Sequence, residues 1–154
     1  MAAVHKIIGD FYEDSFTLIA LHSSIEDYAI VYAINLGIKS IFKRASKDLE
    51  LSEHMSFPFF EWQDELHDRY WVLIGNESTK KESLVREGLF KDESSFVKRH
   101  LVPEYKEVDY FIKIEHDDDL DMDRLLKSLK SLPKMVTAYS IDADKLKSKN
   151  NLIF

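Results

Sequence analysis

Two strand-helix-strand patterns, one toward each end of the chain, constrain its fold more than any other feature of the sequence. In the first, residues 16–21 (Phe-Thr-Leu-Ile-Ala-Leu) form a dense apolar and β-branched run that predicts a strand. His22, Ser23 and Ser24 follow, and Ser23 stands to Glu26 in the spacing of a capping box, which opens a helix. Ile25, Tyr28, Ala29, Tyr32, Ala33 and Leu36 make one apolar stripe. Ile30, Val31 and Ile34 widen it around most of the circumference, so the helix is expected to be buried on more than one side. Gly37 stands where a left-handed residue would end the helix, and residues 38–42 are expected to return as a strand.

In the last third, Val108, Tyr110, Ile112 and Ile114 alternate as a strand over residues 108–115. Met122, Leu125, Leu126, Leu129 and Leu132 share one face of a helix over 122–132, Pro133 stops it, and residues 135–141 supply a final strand. Between the two units, residues 57–62 and 69–75 read as a hairpin joined by a polar turn, with Pro58 at a strand start or a sheet edge. Residues 76–99 carry a weaker pattern, with strands expected at 83–90 and near Phe96. This order predicts an α+β fold: a two-layer sandwich, a mainly antiparallel sheet with two helices on one face, in a ferredoxin-like or ACT-like element order. A chain of 154 residues with 45% hydrophobic content suits one core. We therefore expect a single domain over residues 1–144 and a C-terminal tail over 145–154, either flexible or docked through Leu152, Ile153 and Phe154.

Residues 102–110, Val-Pro-Glu-Tyr-Lys-Glu-Val-Asp-Tyr, resemble the signature of the bacterial IPExxxVDY family of uncharacterised proteins. Pro103, Glu104, Val108, Asp109 and Tyr110 match, and Val102 stands where the name has Ile. Asp27 and Tyr28 in the first helix are also similar to that family's pattern. The resemblance brings no assigned activity with it. In physical terms, Pro103 holds Val102 extended and punctuates the approach to the strand at 108. On one reading Glu104 accepts backbone N–H bonds in a turn, Asp109 points outward, and Tyr110 fills core with its hydroxyl satisfied at an edge. On the other, Glu104, Asp109 and Tyr110 share one surface as a recognition site.

Charge and missing motifs narrow the function. With 28 acidic against 21 basic side chains and a formal charge of −7, general nucleic-acid binding is disfavoured. Cys is absent, which removes thiolate chemistry and suits a reducing cytosol. The first residues lack a signal-peptide pattern and no window approaches the ~20 apolar residues of a membrane span, so a cytoplasmic location without membrane binding is expected. There is no phosphate-cradling Gly-rich loop, no Gly-x-Ser-x-Gly elbow and no His-Glu-x-x-His pair. The acidic run at 116–123 lacks calcium-loop spacing and reads as charges placed for a helix N-terminus. No catalytic residue, metal or cofactor is therefore expected.

Two kinds of surface remain as candidates. His22, Ser23 and Ser24, at a strand end and helix start, stand where backbone N–H groups can receive an anion. The aromatic group Phe57, Phe59, Phe60, Trp62, Tyr70 and Trp71 divides between two sheet faces, and the face outside the core needs a cover from a helix, from residues 76–99 or from another protein. The preferred expectation is a non-catalytic protein-interaction or regulatory module that binds a partner or itself, with Glu104, Asp109, Tyr110, His22, Trp62 and Trp71 as candidate binding residues. The alternative is an ACT-like small-molecule-binding regulatory domain with its ligand near the His22 loop. An enzyme built on Glu104, Asp109 and a His would need those groups within hydrogen-bond reach of a common substrate position.

Overall fold

The structure is a computed structural model that describes residues 16–79, 82–84, 95–116 and 119–154. In chain order it contains β1 (Thr17–His22), α1 (Asp27–Ile38), β2 (Lys43–Arg44), β3 (Leu49–Ser52), β4 (Met55–Phe57), β5 (Phe59–Asp64), β6 (Arg69–Gly75), β7 (Glu82–Leu84), β8 (Ser95–Val97), β9 (Tyr110–Glu115), α2 (Met122–Lys130) and β10 (Thr137–Ile141). Single 3-10 turns lie at Pro103–Tyr105, Ala143–Lys145 and Lys149–Leu152. One antiparallel sheet has the order β10-β1-β9-β6-β5-β2, and β3-β4 and β7-β8 form separate two-stranded pairs. The fold is the α+β sandwich expected from the sequence. The four strands β10-β1-β9-β6, with α1 after β1 and α2 between β9 and β10, follow the ferredoxin-like element order, and β5 and β2 extend the sheet beyond β6.

Alternation along the strands divides the side chains between two cores. Ile19 and Leu21 of β1, Ile112 and Ile114 of β9, and Trp71 and Leu73 of β6 face the helices. There they meet Ile30, Val31 and Ile34 of α1 and Leu125 and Leu129 of α2. Leu18, Ala20, Val72, Ile74 and Phe111 face the other way. That second face is not open either. Phe57 of β4, Leu101, Val102 and Val108 from the approach to β9, and Leu146 and Leu152 from the tail all close over it. The sheet is thus apolar on both sides, which explains why its central strands read as near-continuous hydrophobic runs.

Several local expectations need correction. Ser23 does not cap α1: the N-cap is Glu26, which makes no side-chain cap bond, and the Ser23 hydroxyl donates instead to the Lys134 carbonyl at 3.0 Å. Gly37 lies inside the helix, and the left-handed residue is Lys39, with φ 58°. What Gly37 provides is closeness, since a Cβ there would lie 2.1 Å from Leu132 Cδ2. The strand expected over 38–42 is not formed: Ile38 ends α1 and residues 39–42 are irregular chain before β2, where Asn35 accepts from the Phe42 N–H and the Ser40 hydroxyl while donating to the Phe42 carbonyl. The α1 stripe is also not all interior: Tyr28, Tyr32 and Leu36 are exposed. Val108 precedes β9 and joins the second core rather than the helix side. The strand expected over 83–90 is seen at Glu82–Leu84, with residues 85–90 outside the described set, and the one near Phe96 is Ser95–Val97.

The tail is docked. Leu152 is fully buried, and the Phe154 ring packs edge-on to Phe59 with centroids 5.3 Å apart. Phe16 and Phe154 also flank the buried Lys113 ammonium, 4.7 and 4.3 Å from their ring centroids, while Glu115 accepts from it at 3.1 Å. If the tail completes the second core, Leu152→Ala costs about 2–5 kcal/mol in urea denaturation. A change within ~0.5 kcal/mol, the range of ordinary surface substitutions, would show that the tail is dispensable.

Candidate functional site

The segment that resembles the family signature is held from beneath by Asn76, the residue that ends the β5-β6 hairpin. Gly75 permits this by lying against Pro58, whose Cδ would be 3.0 Å from an added Cβ. Asn76 has no exposed surface. Its Nδ2 donates to the Tyr105 and Val108 carbonyls, both at 2.8 Å, and its Oδ1 accepts from the Val102 N–H at 2.9 Å. Its backbone N–H donates to Asp109 O, and its carbonyl accepts from the Leu101 N–H. The buried amide is fully satisfied, and through its side chain and backbone Asn76 pairs the N–H groups of Leu101 and Val102 and the carbonyls of Tyr105, Val108 and Asp109.

From that frame the matching residues go to different places. Glu104 turns to the tail, where its carboxylate accepts from the Ser148 N–H at 3.1 Å. Burial works to raise the Glu104 carboxyl, and the donors of Ser148 with neighbouring backbone N–H groups outweigh it, holding the carboxyl below its usual value. Asp109 accepts from the Ser23 N–H at 2.8 Å, while its own N–H donates to Leu21 O. It therefore fastens the turn after β1 rather than pointing freely outward. Tyr110 donates its hydroxyl to the Ile25 carbonyl at 2.7 Å. Burial, then the Asp27, Asp109 and Glu26 carboxylates, push its pKa up to about 12.

Asp109 and Tyr110 line one cleft of about 400 Å³ with Ser23, Ser24, Lys106 and His100. Four carboxylates edge it, those of Glu26, Asp27, Glu77 and Asp109. The two groups that sequence singled out there are already committed, Asp109 to a backbone N–H and Tyr110 as a donor held in its protonated form. Neither is placed as an acid or base. His22 is not part of this cleft: its Nε2 lies 2.9 Å from the Tyr139 hydroxyl, with the two rings 5.4 Å apart.

Trp62 and Trp71 lie on the helix side of the sheet, opposite each other across β5 and β6 with ring centroids 5.2 Å apart and Phe42 packed against both. Trp71 is 4% exposed and its buried indole N–H has no hydrogen-bond partner among the described residues. A second cleft of about 460 Å³ runs from this pair to α2, past Asp64, His67 and Arg124. Asp64 and His67 are paired, with Nδ1 to Oδ2 at 2.9 Å. The six candidate residues thus do not form one site. Among the described residues no group of three or more His, Asp or Glu is placed to hold a metal ion, and no helix is long and apolar enough to cross a membrane.

Sequence reading missed Asn76 altogether. A polar residue directly after the apolar run 71–75 was the available signal, and nothing in a single sequence says that its amide turns inward. The exposure of Tyr28, Tyr32 and Leu36 was missed because a stripe with this spacing looks the same whether it faces core or solvent. Comparison with protein families, with curated proteins and with solved structures finds no match to this chain.

Two outcomes test this account of the site. Asn76→Ala removes the partners of the Val102 N–H and the Tyr105 and Val108 carbonyls, and is expected to cost roughly 3–5 kcal/mol in chemical denaturation at about 1–3 kcal/mol per stranded buried group; a loss below ~1 kcal/mol would contradict it. For Glu104, a carboxyl lowered on folding stabilises the protein above its unfolded value of 4.5 and loses that contribution as pH falls through the lowered value. The gap in Tm between the wild type and Glu104→Gln should therefore shrink as the pH is lowered from 6 toward 3, roughly the span of carboxyl titration. A gap independent of pH would show that the Ser148 bond does not depend on charge.

Proposed function

We propose that this chain is a non-catalytic, cytoplasmic protein-interaction module that docks through the outer face of α1. The observation that carries the reading is the exposure of Tyr28, Tyr32 and Leu36, 68%, 68% and 66% respectively, at the i, i+4, i+8 spacing of one helical stripe. Single exposed apolar residues are ordinary, whereas two tyrosines and a leucine in line on one helix are what a partner's groove or helix takes up. Ile41, 59% exposed, extends the apolar surface beyond the helix end. Tyrosine is well suited to such a role, offering a large apolar body at small entropic cost with a polar tip for the rim.

This places the docking surface away from the residues first favoured for it. Trp71 is packed beside Trp62, and Tyr110 has its hydroxyl engaged. The resemblance to the IPExxxVDY family, whose members have no assigned activity, is compatible with this reading, and the matching residues then serve as fasteners of the fold. The alternative, a small-molecule-binding regulatory domain of ACT-like type, draws its support from the cleft at Ser23, Ser24 and Tyr110, where polar and apolar groups converge near the His22 loop.

A photo-crosslinking residue at position 32 tests the interaction reading, with position 66 as control, since Leu66 is 87% exposed on the β5-β6 turn. Expressed in the native host, the chain should yield a discrete protein adduct from position 32 and none from position 66. No adduct at 32, or the same adducts at both positions, would contradict it.

A further inference from the structure

We infer that the partner of this face is a second copy of the same chain, packed antiparallel along α1 with a two-fold axis through Tyr32. The inference rests on the docking surface proposed above and names its occupant. The stripe is self-complementary. Tyr32 is the midpoint between Tyr28 and Leu36, so a two-fold axis at Tyr32 sets each Tyr28 on the other copy's Leu36 and the two Tyr32 rings on each other. An isologous interface has this property, that one patch is its own complement.

Charge at the two ends of the stripe points the same way. At the N-terminal end stands Glu26, exposed and two residues ahead of Tyr28 in the chain. Glu26 makes no side-chain cap bond, and the neighbouring Asp27 is drawn to Arg44 at 3.3 Å. At the C-terminal end stands Lys39, exposed and in a left-handed conformation. Parallel packing would oppose Glu26 to Glu26 and Lys39 to Lys39. Antiparallel packing opposes Glu26 of each copy to Lys39 of the other, at both ends at once, and also aligns the helix dipoles favourably. An unrelated partner would need neither the central position of Tyr32 nor opposite charges at the two ends.

The magnitude follows from the area. Three side chains about two-thirds exposed offer on the order of 100 Å² each, so two copies withdraw roughly 600 Å² from water through the stripe alone. That is below the ~1,000 Å² of a stable interface. The dimer is therefore weak and concentration-dependent.

Sedimentation equilibrium of the purified chain, combined with the position-32 crosslink, tests this. We expect a monomer-dimer equilibrium that Tyr32→Glu abolishes and that Lys39→Glu weakens at least tenfold, with the double charge swap Glu26→Lys with Lys39→Glu restoring the wild-type constant to within about threefold. All of these positions are on the surface, and circular dichroism confirms that each variant remains folded. A dimer unchanged by these substitutions would overturn the inference by placing the interface elsewhere. A monomer up to ~1 mM that still crosslinks a different protein from position 32 would overturn the inference while leaving the interaction reading standing. A monomer that crosslinks nothing would overturn both.

Discussion

The buried amide of Asn76 is the interaction on which the rest of the molecule depends. A sheet whose central strands are apolar on both faces needs two covers. Helices supply one, because they satisfy their own backbone groups internally. The other cover is built from irregular chain, the segment 101–109 and the tail, and irregular chain brings unpaired N–H and C=O groups to an apolar surface at a cost of about 1–3 kcal/mol each. Asn76 resolves this for the first of the two. One side chain offers two donors and an acceptor in a fixed geometry, and all are used on the segment that crosses above it. A carboxylate could not donate twice, and an apolar residue could not donate at all.

From that fixed point the remaining contacts follow in order. With residues 101–109 held, Leu101, Val102 and Val108 are delivered to the second core, Asp109 reaches the turn after β1, and Glu104 stands where it receives the tail through Ser148. The tail then brings Leu146 and Leu152 onto the sheet and Phe154 over Lys113. The residues that match the family signature therefore act as a sequence of fasteners between β1, β6 and the C-terminal segment. Such a chain of dependencies can fix the identity of these residues without any catalytic demand on them.

The large-scale architecture was legible in the sequence because its signals are periodic. The strand at 17–22, the hairpin at 59–75 and the amphipathic α2 each announce themselves by spacing, and the element order that follows from them gives the sandwich. What was not legible is direction. Ser23 and Glu26 have capping-box spacing, yet the serine hydroxyl is drawn to Lys134, more than a hundred residues away in sequence; a long-range partner outcompeted the local one. Gly37 looked like a helix stop and proved to be a point of close approach to Leu132. Trp62 and Trp71 looked like a surface because aromatic residues crowd both faces of that hairpin; both proved to face the helix side with Phe42 packed against them, while the opposite face is roofed by chain that carries no periodic signal. The outward tilt of Tyr28, Tyr32 and Leu36 is the same difficulty in reverse.

Native-state hydrogen exchange of the Leu101, Val102 and Asp109 amides tests the central claim most directly. Each donates into the framework set by Asn76 or β1, and none belongs to a sheet ladder. If the 101–109 segment is an integral cover of the second core, these amides open only with the whole molecule and exchange with the same free energy as Ile112 at the sheet centre. Exchange at the rate of an exposed loop, with Ile112 still protected, would mean that the segment lies on a core that is complete without it, and the account of Asn76 as its keystone would be wrong.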